Sequence, residues 1–213
     1  MDFDQIREKL SRHKVIPVIA IENEADALPL ADALIDGGLP LIEITFRTAV
    51  ASAVMAKINK ERPEILLGAG TILTIDELKM AADNGATFGV APGFNPKIVE
   101  ESLKIDFPFM PGIMTPSELE SALSLGIQNF KFFPAEAVGG VRFLSSLSAP
   151  YSHRRVKFIP TGGVNLSNLI DYLSLESVIA VGGTWIAKSQ EISAGAWKNI
   201  TSKCKEARKA INQ

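Results

Sequence analysis

The chain has 213 residues, 46% of them hydrophobic, and a formal net charge of −2. That is enough apolar material for one sizeable core, which excludes a disordered chain, and the charge balance lacks the basic excess of a nucleic-acid binder. A single cysteine, Cys204, excludes an internal disulfide, and no apolar run approaches the ~18 residues that would span a membrane.

The opening stretch MDFDQIREKLSRHK is charged and amphipathic and lacks the apolar centre of a secretory signal, so the cytoplasm is the expected compartment. Eight short β-type runs then alternate with helical patterns. The first four are VIPVIAI (15–21), LIEITFR (41–47), ILLGAG (65–70) and TFGVAPG (87–93). They are followed by FPFMPG (107–112), NFKFFP (129–134), VKFIPTGG (156–163) and VIAVGG (178–183). These are near-continuous apolar runs, as expected of parallel strands covered on both faces.

The helical segment NEADALPLADALIDGG stops at Gly37–Gly38, and Pro29 bends it or delays its start. Thr74 and Thr115 each stand where a helix N-cap is expected, with an acid two or three residues on, and Asn95–Pro96 reads as a cap followed by proline at the first helical position. HRRVK (153–157) reads as a solvated basic loop. Cys204 lies in a late amphipathic helix and reads as a packing or surface residue. Repeated strand–helix units with short loops and no linker predict one domain, 1–213: a (β/α)8 TIM barrel with an N-terminal helix, with a doubly wound sheet as runner-up.

In such a barrel the site lies at the C-terminal strand ends, and these ends are rich in Gly, Pro, Thr and charge. Lys131 sits inside NFKFFP and shares a face with Phe133 by the period-two rule. Burial disfavours the charged form of an amine, and a neutral amine attacks carbonyl carbon to form a Schiff base. An interior lysine can equally pair with a glutamate or reach to a strand end. In LIEITFRT, Glu43, Thr45 and Arg47 share one face, with Leu41 an apolar exception on it. Glu43 is a candidate proton shuttle and Arg47 a carboxylate clamp, or Glu43 is the partner of Arg47 or Lys131 in an ion pair. PTGG (160–163) and VGGT (181–184) end the seventh and eighth strands, where glycine lets backbone N–H groups approach a phosphate. Thr71 either binds substrate or caps the next helix, and taken alone it reads as the cap. Pro92 and Pro111 read as turn-shaping residues. His13 and His153 are the only histidines and do not sit together at strand ends, so no metal is expected. No GxGxxG follows a strand, so no dinucleotide is expected.

In order, EITFRT, GAGT, APG, PG…TPSE, KFFPAE…GG, PTGG and VGGTW resemble the 2-keto-3-deoxy-6-phosphogluconate and 4-hydroxy-2-oxoglutarate aldolases, over about Val15 to Trp185. The resemblance implies a cytoplasmic class I aldolase of the Entner–Doudoroff type, on a (β/α)8 barrel, homotrimeric, with no metal or organic cofactor. Its partner is a small-molecule keto-acid phosphate, cleaved to pyruvate and glyceraldehyde 3-phosphate. Action on 4-hydroxy-2-oxoglutarate, giving pyruvate and glyoxylate, is also implied. Lys131 matches the Schiff-base lysine and Glu43 the general acid/base acting through a bound water. Arg47 and Thr71 match residues around the pyruvate carboxylate, and Pro92, Phe133 and Thr161 match the pocket lining. Gly162, Gly163, Gly182, Gly183 and Thr184 match the phosphate loops. The family pattern has GGSW where this chain has GGTW, so Thr184 adds a methyl there. A sugar-phosphate isomerase and a non-catalytic phospho-sugar sensor are the rival readings.

Overall fold

The structure, a computed structural model, describes residues 3–212. Met1, Asp2 and Gln213, part of the expected 1–213 domain, lie outside the described residues. Helix α1 (Phe3–His13) leads into β1 (Val15–Ile19). Strand and helix then alternate: α2 (Ala27–Asp36), β2 (Leu41–Thr45), α3 (Ala51–Glu61), β3 (Leu66–Gly70), α4 (Ile75–Asp83), β4 (Phe88–Val90) and α5 (Pro96–Lys104). The second half continues with β5 (Phe109–Met110), β6 (Gly112–Ile113), α6 (Pro116–Ser124), β7 (Asn129–Phe132), α7 (Gly140–Ser148) and β8 (Lys157–Pro160). It ends with α8 (Leu169–Leu173), β9 (Val181–Gly183), α9 (Ser189–Ser193) and α10 (Trp197–Ile211).

The helix starts follow from capping chemistry. Thr74 and Thr115 each form a full capping box, with Glu77 and Glu118 respectively. Asn95 accepts from the Lys97 N–H, with Pro96 opening α5. Pro29 marks a late start: a 3-10 turn over Glu24–Asp26 precedes α2, and the proline falls in its first turn, where a missing N–H costs nothing. Cys204 on α10 is fully buried, its Cβ so close to Gly37 that any side chain there would collide, and burial pushes its thiol up to about 12. It is a packing residue.

All strand pairs are parallel. One sheet runs β5-β4-β3-β2-β1-β9 and the other β6-β7-β8. Pro111 alone separates β5 from β6, because a residue without an N–H cannot continue the ladder. Single parallel bridges join Thr161 to Gly182 and Phe158 to Val178 on the other side. The protein is therefore an α/β fold whose parallel strands curl.

Two buried layers result. The larger cluster, including Ile42, Ile44, Phe130, Phe132 and Phe158, lies between strands and helices. The smaller gathers Ile16, Leu41, Leu66, Phe88 and Met110 from β1 to β5 and Ile159 from β8, and Ile6 and Leu10 of α1 seal it. Leu41 is apolar on an otherwise polar face because it belongs to this sealed layer. Two residues further along β2 the same face carries Glu43. The inner face thus changes from apolar to polar toward the C-terminal strand ends. Among the described residues no helix is long and apolar enough to cross a membrane.

Candidate active site

Lys131 and Glu43 come from opposite parts of the curl, on β7 and β2, yet meet on the inner face. They are 5% and 1% exposed, and Lys131 Nζ lies 3.4 Å from Glu43 Oε1. The ion-pair reading and the catalytic reading of the sequence thus describe one arrangement. At 3.4 Å the contact is longer than the usual range for an N–H···O bond, and a buried pair adds little net stability. Nearby bulk is kept small on purpose: Gly70 on β3 has no Cβ because Glu43's carboxylate occupies that space. The ring of Phe133 stands 5.6 Å from Lys131 Nζ.

Above this pair opens a cavity of about 260 Å³. Its lining brings together Lys131, Arg47, Thr71, Pro92, Phe133 and Thr161 with the loop residues Gly162, Gly163, Gly182, Gly183 and Thr184. Glu43 lies just beneath, against Lys131. Every candidate site residue named from the sequence except Glu43 lines this one strand-end cavity, and Glu43 contacts it through Lys131. Thr71 is not the helix cap, a role taken by Thr74; it stands with φ 57°, a conformation β-branched residues seldom adopt, and lines the cavity instead. Gly182 and Gly183 lack side chains because Thr161 and the Trp185 ring lie against them, which ties the tryptophan of GGTW to its glycines.

Three lining residues, Val18, Thr45 and Val164, were absent from the candidate set. The valines carry no chemical mark that separates them from core. Thr45 does more than line. Its hydroxyl donates to the Ile19 carbonyl on β1 at 2.8 Å, which leaves a lone pair for Arg47 Nε, donating at 3.0 Å. The buried threonine thereby fixes the direction of an exposed guanidinium. Among the described residues no three His, Cys, Asp or Glu side chains cluster to hold a metal ion. What the arrangement offers is a cavity lined by an amine, a guanidinium and glycine loops, with a carboxylate 3.4 Å from the amine.

The family model of the KDPG and KHG aldolases matches residues 6–203. The chain belongs to the KDPG and KHG aldolase family. Within it, the 2-dehydro-3-deoxy-phosphogluconate aldolase of Treponema pallidum is 46% identical, over 92% of this chain and 93% of that one. The KHG/KDPG aldolase of Escherichia coli K12 is 39% identical, over 93% of this chain and 92% of its own. Among solved structures, the KDPG aldolase of Legionella pneumophila superposes with a TM-score of 0.90 at 38% identity, covering 94% of this chain and 97% of that one. In that crystal pyruvate is captured as a covalent carbinolamine intermediate.

Proposed function

We propose that this protein is a class I aldolase that cleaves 2-keto-3-deoxy-6-phosphogluconate to pyruvate and glyceraldehyde 3-phosphate, and 4-hydroxy-2-oxoglutarate to pyruvate and glyoxylate. The observation that carries the reading is the buried Lys131 amine in the cavity floor with Glu43 3.4 Å away. Family membership, and relatives named for the same reaction, support it.

In this reading the Lys131 amine attacks the C2 ketone carbon of the substrate, forming a C–N bond and a carbinolamine. Glu43 gives a proton to the departing hydroxyl, water leaves, and an iminium forms. Glu43, acting through a water, then takes the C4 hydroxyl proton. The C3–C4 bond breaks, its electron pair flows into the iminium to give an enamine, and the aldehyde departs. Protonation at C3 and hydrolysis of the iminium release pyruvate and restore the amine. Arg47 and Thr71 hold the keto-acid carboxylate, and Pro92, Phe133 and Thr161 shape the wall. Gly162, Gly163, Gly182, Gly183 and Thr184 receive the phosphate. Fixing both ends aligns the bond that breaks.

The same reading makes the two sheets arcs of one closed (β/α)8 barrel forming a single domain. The short Pro111 join and the Thr161–Gly182 bridge support closure. It also makes the protein a cytoplasmic homotrimer that needs no metal or organic cofactor. The direct test is pyruvate release from each substrate, coupled to NADH oxidation by lactate dehydrogenase. Turnover supports the reading, and no pyruvate from either substrate would remove it.

Thr45 provides a sharper check on the keto-acid end. Thr45→Val preserves shape but leaves Arg47 Nε without its acceptor. It is expected to raise KM for either substrate about tenfold with little change in kcat. Thr45→Ser should restore KM, as steady-state kinetics would measure.

A further inference from the structure

The glycine loop after β8 is held from outside the cavity by a connected set of groups that the reaction steps do not use. Three successive carbonyls are occupied. Thr161 accepts from the Ala135 N–H at 2.9 Å and Gly162 from the Glu136 N–H at 3.0 Å. Gly163 accepts from the side-chain amides of Asn165 and Asn168 at 3.0 and 3.3 Å. In a trans peptide the N–H points opposite to the C=O. The N–H groups of Gly162, Gly163 and Val164 therefore turn away from these donors, and all three residues line the cavity. Consecutive N–H groups turned to one side make an anion-binding concavity.

Glu136 sets where that loop sits. Its side chain underlies Gly163, where an added Cβ would come within 2.5 Å of the Glu136 Cβ. Gly163, at φ 83°, is thus required both for its conformation and for this contact. The Glu136 carboxylate, which does not line the cavity, accepts a short hydrogen bond from the Tyr172 hydroxyl. Tyr172 is fully buried on α8, and its N–H donates to the Asn168 carbonyl at 3.4 Å. One short segment thereby supplies the hydroxyl that holds Glu136 and an amide that holds Gly163. That hydroxyl holds the Glu136 side chain in its place against Gly163.

We propose that Tyr172 and Glu136 are positioning residues that brace the Gly162–Gly163 loop for the phosphate end of the substrate, and so set the preference for phosphorylated over unphosphorylated keto acids. The inference rests on the aldolase reading above and deepens it. Burial, and then the Glu136 carboxylate, raise the Tyr172 hydroxyl above the ordinary tyrosine value, so it remains a donor throughout the working range.

The test compares two substrates that differ only in the phosphate: 2-keto-3-deoxy-6-phosphogluconate and 2-keto-3-deoxygluconate. Tyr172→Phe is expected to raise KM for the first about tenfold, with kcat and the KM for the second nearly unchanged. Glu136→Ala should reproduce that selective loss. Glu136→Gln, which keeps an acceptor for the hydroxyl, should restore KM. Binding of inorganic phosphate, read by calorimetry, should weaken by the same factor in Tyr172→Phe. Equal losses on both substrates, or an unchanged KM for the phosphorylated one, would overturn the brace. A wild-type protein that cleaves neither substrate would fail the aldolase reading instead, and the phosphate titration would still decide whether the brace shapes an anion site. If Tyr172→Phe does not fold, Glu136→Ala and Glu136→Gln decide the matter on the same readouts.

Discussion

Lys131→Met is expected to lower kcat for 2-keto-3-deoxy-6-phosphogluconate cleavage by on the order of 10⁴-fold or more, while the protein keeps its fold. Methionine preserves the length and most of the volume of the lysine stem, so the inner face stays filled. What disappears is the amine proposed to bond to C2, and among the described residues no second lysine lines the cavity. Without the iminium there is no electron sink for the pair released from C3–C4. Each tenfold in rate corresponds to about 1.36 kcal/mol of barrier, so the loss amounts to about 5 kcal/mol or more. Circular dichroism and a coupled pyruvate assay on the same preparation separate the two outcomes. Near-normal turnover by a folded Lys131→Met protein would contradict covalent catalysis at this residue.

Glu43→Gln has the second largest expected effect. The amide keeps the shape that fits over Gly70 and can still accept a hydrogen bond from Lys131, but it cannot carry a proton. Dehydration of the carbinolamine and removal of the C4 hydroxyl proton both slow. A positioned general acid/base contributes about 10²- to 10⁴-fold, and a loss in that range is expected in kcat, with KM within a small factor of wild type. Pre-steady-state measurement of pyruvate release checks this. A loss confined to KM would place Glu43 in binding rather than proton transfer.

The pair at the centre of these predictions was legible because charge stands out inside apolar strands. Period-two alternation alone puts Glu43 and Thr45 on one face, and Lys131 with Phe133. Capping boxes at Thr74 and Thr115 were equally readable, since the signal is local: a hydroxyl, an acid three residues on and an apolar run. The runs TFGVAPG and VKFIPTGG extend past the ends of β4 and β8, because Pro92 and Thr161–Gly163, which follow the ladder, line the cavity instead. Thr71 misled for a physical reason: a threonine before a helix reads as a cap, and nothing local announces φ 57°. The division at Pro111 was readable in principle from its missing N–H, whereas the continuous run around it read as one strand. The Glu136–Tyr172 contact was not legible at all. It joins a loop after β7 to a helix after β8, 36 residues apart, and neither residue departs from ordinary surface or core composition.

A covalent bond between Lys131 and the keto acid separates this chemistry from a purely structural lysine. The measurement that tests it most directly is borohydride reduction in the presence of pyruvate, followed by digestion and peptide mass spectrometry. A reduced pyruvyl adduct is expected on the peptide containing Lys131, at that residue alone. A folded, catalytically active protein with no adduct, or with its adduct on another lysine, would contradict it.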